Sequence, residues 1–262
     1  MHSIESLIQE QNRTSLLCVG LDTELHKIPA ELQRGGDALI RFNETIINAT
    51  HDFCCSYKIN FAFYEQYGEH AFSLIKDTVG LLPQGKLSIA DAKRGDIGNT
   101  SGAYARAIFD EMGFDAVTVS PYMGYDSLAP FLEYSGKMVF ILALTSNAGS
   151  LDFQRLECGG KPLFRHVIEK ALSWKSQAHI GFVVGATHPE ELAHIREYAP
   201  DNCLLIPGVG TQGGNASDVL QANGNAPALI NVSRDILYNT SGADTFSYAR
   251  ERAQYYAGLL RV

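Results

Sequence analysis

The sequence predicts an α/β fold, a (β/α)8 barrel of the TIM type, as a single domain over 1–262. Three observations carry this. Eight short apolar runs recur along the chain, separated by longer amphipathic stretches. The runs are apolar throughout rather than alternating, as parallel strands are when both faces are covered. The length, 262 residues, suits one such barrel, too long for a minimal domain and short for two full ones. A doubly wound open sheet is the alternative.

In chain order, a helix over about 2–13 precedes the first strand, LLCVGLD (16–22). Helical spacing over 37–53 leads to CCSYKIN (54–60), and a helix over 62–79 leads to KLSIADA (86–92). A helix over 99–112 separates this run from DAVTVS (115–120), which is followed by KMVFILAL (137–144). Helices over 163–175 and 189–198 bracket HIGFVVGA (179–186). CLLIPG (203–208) and ALINVS (228–233) complete the set, and a helix over 245–260 ends the chain. No gap is short enough for a two-residue hairpin. No Pro/Ser-rich linker divides the chain, and repeated strand–helix units predict closure.

Composition removes several function classes. Lys and Arg total 21 against 29 Asp and Glu, a formal charge of −8. That balance argues against a nucleic-acid binder, which usually carries a basic surplus. It leaves room for an anionic small ligand, which needs only two or three local cations. No apolar run reaches the roughly 18 residues of a membrane helix. MHSIESLIQEQNRT has neither the basic nor the apolar region of a secretory signal, so the expected compartment is the cytoplasm. The five cysteines form no C-x-x-C, and buried, reduced thiols are expected.

Polar residues gather where the strands end, and in a barrel those ends build the active site. They read Asp22, Lys58 with Asn60, Asp91-Ala-Lys93, Ser120, Thr145-Ser146-Asn147, Gly208-Val-Gly210 and Ser233-Arg234. Charge at the end of an apolar strand is costly unless it is paired or used. Asp91 and Lys93 are two residues apart, so along a strand they face the same side. Asp96 follows on the turn that opens the next helix. A salt bridge capping the barrel is the plain alternative for this segment.

The seventh turn, Pro207-Gly-Val-Gly-Thr-Gln-Gly-Gly214, contains G-x-G-x-x-G. A dinucleotide fingerprint opens a βαβ unit near the start of a nucleotide domain, whereas little chain remains here. A glycine-rich turn after strand seven and Ser233-Arg234 after strand eight instead match a barrel phosphate site. Glycine lets backbone N–H groups approach phosphate oxygens, and Arg234 can add a bidentate contact. Gly80–Lys86 resembles a P-loop but precedes a strand and lacks the Ser/Thr after lysine. There is no H-E-x-x-H and no paired Cys/His spacing, so no metal site is expected.

The segments CVGLD, YKINFAFYEQYG, DAKRGDIGNT, PGVGTQGG and NVSR, in this order, resemble the orotidine 5′-phosphate decarboxylase family. The K-x-N-x-A-F-Y-E form is similar to its bacterial type 2 subgroup. The resemblance covers about 15–240. It implies decarboxylation of orotidine 5′-phosphate to UMP, the last step of de novo UMP synthesis, with no metal and no organic cofactor. By motif position it implies that Lys93 protonates C6 of the pyrimidine and that Asp91 lies beside the departing carboxylate. Asp96, with Thr100 nearby, is implied to serve the neighbouring subunit's site in a homodimer. Asp22 and Lys58 match contacts to the ribose hydroxyls, and Ser146 matches the residue that reads the pyrimidine edge. Pro207, Gly208, Gly210, Gln212, Gly213, Ser233 and Arg234 match the phosphate grip. The weighed alternatives are a metal-dependent sugar-phosphate decarboxylase or aldolase on the same barrel, and a non-catalytic phosphate-ligand barrel.

Overall fold

The computed structural model describes residues 4–33, 37–187, 189–210, 213–239 and 244–261. Eight strands close into a parallel barrel. They are β1 (Leu17–Gly20), β2 (Ser56–Asn60), β3 (Leu87–Arg94) and β4 (Ala116–Val119), then β5 (Met138–Leu144), β6 (His179–Val184), β7 (Leu204–Pro207) and β8 (Ala228–Val232). Each pairs with its sequence neighbours, and β8 closes on β1 with Leu17 opposite Ile230. The open-sheet alternative is thereby excluded. Every apolar run of the sequence holds one of these strands, except that β3 continues two residues past its run, to Arg94.

Around the barrel lie α1 (Ile4–Arg13), α2 (Ala38–Thr50), α3 (Ala71–Gly80), α4 (Gly98–Arg106) and α5 (Tyr125–Leu132). They are followed by α6 (Leu163–Leu172), α7 (Pro189–Tyr198), α8 (Ala216–Asn223) and α9 (Thr245–Leu259). The helix expected over 62–79 is broken. One turn, Ala62–Glu65, is followed by a 3-10 turn, Gly68–His70, before α3 begins. Gly68, which opens the 3-10 turn, sits at φ 62°, so a right-handed helix cannot run on through it. The helix expected over 99–112 starts as α4 and widens into a π turn at Ala107–Glu111. The helix expected over 163–175 stops at Leu172.

Two helices escaped the periodicity. α5 is eight residues long and contains Pro130, and α8 is equally short. Local capping starts α8: the Asn215 side chain accepts hydrogen bonds from the Ser217 and Asp218 amides. A two-residue hairpin also exists, inside the β5–α6 connection. Glu157–Cys158 pairs antiparallel with Lys161–Pro162 around Gly159 and Gly160, at φ 60° and 83°. Two consecutive positive φ values are what a tight turn of this hand requires.

The core has two parts. An outer layer packs strands against helices and includes Phe42, Ile46, Tyr57, Phe131, Ile168 and Leu192. The barrel interior is filled by Cys18, Leu87, Ile89, Met138, Phe140, Leu205 and Leu229, with Leu7 of α1 joining them. Gly181 makes that filling possible. A Cβ there would lie 2.6 Å from the Cys203 carbonyl oxygen and 2.7 Å from the Phe140 ring. Cys18, Cys54, Cys55 and Cys203 are buried and unbridged, while Cys158 is exposed. Burial pushes the Cys54 thiol up to about 11.

α1 is fastened to the N-terminal ends of the strands. Gln11 Nε2 donates to the Ala228 carbonyl at 2.5 Å. Glu10 pairs with buried Lys86, whose Nζ also donates to the Cys54 carbonyl at 2.7 Å. The lower end is therefore covered, which leaves the C-terminal ends of the strands as the accessible end. Along β3 and β8 the inward positions run from apolar to polar in steps of two. Leu87 and Ile89 lead to Asp91 and Lys93, and Leu229 leads to Asn231 and Ser233. Among the described residues, no helix is long and apolar enough to cross a membrane.

Candidate active site

A cavity of about 290 Å³ opens at the C-terminal ends of the strands. This is near the lower end of the range for small-ligand sites, roughly 300–1,000 Å³. Asp22, Lys58, Asn60, Asp91, Lys93 and Thr118 line one side. Leu142, Thr145, Ser146, Asn147, Val183 and Leu205 line the second. Pro207, Gly208, Val209, Asn231, Ser233 and Arg234 complete the wall.

The floor carries a chain of alternating charge. Lys58 Nζ lies 3.4 Å from Asp22 Oδ1 and 3.0 Å from Asp91 Oδ2. Lys93 Nζ donates to Asp91 Oδ1 at 2.6 Å, and the Thr118 hydroxyl donates to the same oxygen at 3.0 Å. The order is Asp22, Lys58, Asp91, Lys93, so every carboxylate faces an ammonium. Lys58 is almost fully enclosed, whereas the Lys93 side chain is 49% exposed. Burial opposes the charged form of Lys58, but Asp22 and Asp91 outweigh it and hold the ammonium above its ordinary value. Burial likewise opposes the Asp91 carboxylate. Lys58 and Lys93 outweigh that too, and hold it well below the usual carboxylate range.

The supports of Asp22 come from distant parts of the chain. Its carbonyl accepts the Tyr238 hydroxyl at 3.1 Å, and that hydroxyl accepts the Glu24 amide at 2.8 Å. Tyr64 donates to the neighbouring Leu21 carbonyl at 3.0 Å. Ser146 is placed by a glycine on the next strand's loop: a Cβ at Gly185 would lie 2.7 Å from the Ser146 amide nitrogen. Thr145 beside it is clamped, its amide donating to Gln154 Oε1 at 2.7 Å.

The glycine-rich turn divides between two faces. Pro207, Gly208 and Val209 line the cavity, while Gly210 and Gly213 line a second hollow behind the turn, with Arg252 and Tyr256. Gly208, Gly210 and Gly213 all have positive φ, at 107°, 85° and 91°. The turn is closed on itself. The Gly210 amide donates to the Gly214 carbonyl at 3.2 Å and the Gly214 amide to the Gly208 carbonyl at 3.1 Å. Tyr256 donates to Asp235 at 2.6 Å and Arg252 pairs with the same carboxylate, so α9 braces the short turn that carries Arg234. Gln212 lies outside the described residues.

Asp96 and Thr100 do not line this cavity. Asp96 accepts the Ile97 amide at 2.7 Å on the approach to α4, and Thr100 is exposed on that helix. Little in the sequence alone marks Thr118 or Asn231, and Asn60 is marked only by its place at a strand end. All three sit on the period-two inward face. Asn231 is 7% exposed, and neither its Oδ1 nor the Ser233 hydroxyl has a hydrogen-bond partner among the described residues. An amide inside the otherwise apolar run ALINV was the signal available for Asn231.

Residues 15–245 match the Orotidine 5′-phosphate decarboxylase / HUMPS family. The chain belongs to that family. It is 46% identical over 259 residues to a protein of Christiangramia forsetii named orotidine 5′-phosphate decarboxylase, covering 97% of this chain and 95% of that one. It is 49% identical over 242 residues to the Herpetosiphon aurantiacus protein of the same name, covering 92% and 90%. The solved OMP decarboxylase of Leishmania donovani superposes with a TM-score of 0.84 at 36% identity, covering 99% of this chain and 98% of that one. Leishmania donovani UMP synthase superposes at 0.87 and 37% identity, but the chain spans 57% of its length.

A metal-dependent relative would need carboxylates or imidazoles free to converge on a cation. Among the described residues, no group of three or more His, Cys, Asp or Glu side chains could hold one. Asp91 is instead committed to two ammonium groups.

Proposed function

We propose that this chain decarboxylates orotidine 5′-phosphate to UMP and CO2, in the cytoplasm and as a homodimer with shared sites. The observation that carries the reading is the Asp22–Lys58–Asp91–Lys93 chain at the strand ends, with Arg234 lining the same cavity. Family membership supplies the substrate.

The chemistry follows from charge. When the bond between C6 and the carboxylate breaks, its electron pair stays on C6 and CO2 leaves. No ring resonance disperses that pair, so the useful group is a cation that is also an acid. Lys93 is both: its charge favours the developing carbanion, and one of its protons then forms the new C6–H bond. The resulting amine regains a proton from water, which the half-exposed position allows. Asp91 holds Lys93 in place and opposes the substrate carboxylate. Two like charges about 4 Å apart at an effective dielectric near 20 repel by about 4 kcal/mol, which is relieved as CO2 departs. Stabilisation of the transition state by Lys93 carries the greater weight, because a site built for it costs no reorganisation during the reaction.

Asp22 and Lys58 take the ribose hydroxyls, and Ser146 reads the pyrimidine. Arg234 and Gln212 hold the phosphate, with the backbone around Pro207–Gly208 and Ser233, while Gly210 and Gly213, whose amides are spent inside the turn, shape it from behind. Binding a phosphate remote from the reacting bond aids catalysis when it orders the turn and dries the site. Arg234→Ala is expected to lower kcat/KM on the nucleotide by about 10²-fold, the usual cost of removing a charge-assisted anion contact. The phosphate-free nucleoside should be turned over equally by both proteins; an unchanged kcat/KM on the nucleotide would remove Arg234 from the phosphate site.

Dimerisation is supported by the position of Asp96 and Thr100 off their own cavity, with Ile97 between them exposed. Mixing inactive Lys93→Ala and Asp96→Ala proteins tests it. Random pairing makes half the dimers mixed, each with one intact site, so about one quarter of wild-type activity should return. No recovery means the sites are not shared. A spectrophotometric assay on orotidine 5′-phosphate, with and without EDTA, tests the function as a whole. Activity abolished by EDTA would favour a metal-dependent member of the family, and binding without turnover a non-catalytic barrel.

A further inference from the structure

β3 and β4 pair regularly at Ile89–Ala116 and Ala90–Val117, and pair again at Arg94–Val119. Between these points β3 has three residues, Asp91 to Lys93, and β4 has one, Thr118. The ladder is broken at the residues that carry the chemistry. Lys93 absorbs the mismatch at φ 47°, a left-handed conformation that side chains with a Cβ rarely adopt. Strain of this kind persists only where the surroundings hold it.

One side chain does the holding. The Lys93 amide, which lost its ladder partner, donates to Thr118 Oγ1 at 3.0 Å. Because that hydroxyl accepts from an amide, its own proton is free for Asp91 Oδ1, 3.0 Å away. The same carboxylate oxygen takes the Lys93 ammonium at 2.6 Å. The backbone of Lys93, its head group and the Asp91 carboxylate are thus joined through a single hydroxyl. Thr118 is 1% exposed, and its β-branched side chain has few rotamers to choose from.

We propose that Thr118 is a positioning residue for the decarboxylation: its hydroxyl fixes the left-handed Lys93 backbone against Asp91 and so aims the ammonium into the cavity. The inference rests on the assignment of Lys93 as proton donor. It goes beyond that assignment by explaining how a lysine with a long flexible stem keeps one direction before substrate arrives. Misplacement of a reacting group by about 1 Å is enough to cost about 10²-fold in rate.

The test compares Thr118→Val, which keeps the shape and removes the hydroxyl, with Thr118→Ser, which keeps the hydroxyl and removes the methyl. Thr118→Val is expected to lower kcat by about 10- to 100-fold. KM for orotidine 5′-phosphate and Kd for UMP should stay within about threefold, because the ligand contacts remain. Thr118→Ser should recover kcat to within about fivefold of wild type. A packing role alone predicts the opposite order, with Val the better replacement, and that order overturns the proposal. So does a wild-type kcat in Thr118→Val. If the valine variant does not fold, Thr118→Ser against Thr118→Ala makes the same comparison, and equal kcat values overturn it. Lys93→Ala is assayed in parallel. Its activity at wild-type level means the assignment of Lys93 has failed; its inactivity beside a fully active Thr118→Val means only the inference about Thr118 has.

Discussion

Lys93→Ala should leave the barrel folded and reduce kcat by at least about 10⁴-fold. Two contributions disappear together: a general acid, worth about 10²- to 10⁴-fold, and a cation facing the developing carbanion, worth about 10²- to 10³-fold. The fold should survive because little depends on this side chain. Lys93 is half exposed, and Asp91 keeps Lys58 at 3.0 Å and Thr118 at 3.0 Å when it is gone. Single-turnover assays with orotidine 5′-phosphate, beside a thermal melt, would separate loss of chemistry from loss of structure. Substantial residual decarboxylation by a folded variant would rule out the assigned proton donor.

Asp91→Asn should damage stability as well as rate. The amide has the carboxylate's shape but no charge, so buried Lys58 keeps only Asp22, at 3.4 Å. Leaving a buried charge wholly uncompensated costs about 3–5 kcal/mol, and with Asp22 still in place the lower end, about 3 kcal/mol, is expected. In a protein of this size, that is a fall in Tm of roughly 10 °C. The pH dependence has a definite sign. The folded state holds the Asp91 carboxylate well below its ordinary range, so its contribution is complete above the unfolded pKa, about 3.9, and is lost as pH falls through the folded value. The stability gap between wild type and Asp91→Asn should therefore be full at neutral pH and narrow only below about pH 4. Urea midpoints across that range would measure it. A variant as stable as wild type at pH 7 would mean the charge chain adds nothing to the fold.

The barrel was legible because its strands have to be apolar on both faces, a pattern that survives any loop between them. The ionised residues of the site were legible for the complementary reason. Asp22, Lys58, Asp91 and Lys93 interrupt those runs at their ends, where charge has few uses other than chemistry. Thr118 and Asn231 carry no charge, and a hydroxyl or amide within a strand reads like any other polar residue. Their meaning depends on register: Thr118 matters because β3 loses its pairing opposite it, and pairing is invisible along one chain. The short helices escaped for a different reason. Tyr125–Leu132 contains a proline, and Ala216–Asn223 is held by a cap rather than by periodicity. Gly68 keeps a right-handed helix from running on through it, although the apolar spacing does.

The helix fastened beneath the strands also decides how molecules travel. With α1 across the lower end and Leu7 packed among the interior side chains, the cavity has a floor and, among the described residues, opens upward. Both products therefore leave by the door through which the nucleotide entered. A gas and a charged nucleotide share that exit, and the glycine turn and Arg234 stand beside it. On the proposed assignment of Arg234 and the turn, a grip on phosphate tight enough to order the turn also sets how quickly the doorway clears. On that assignment, the contact that helps to begin each cycle sets a limit on how fast the next one can start.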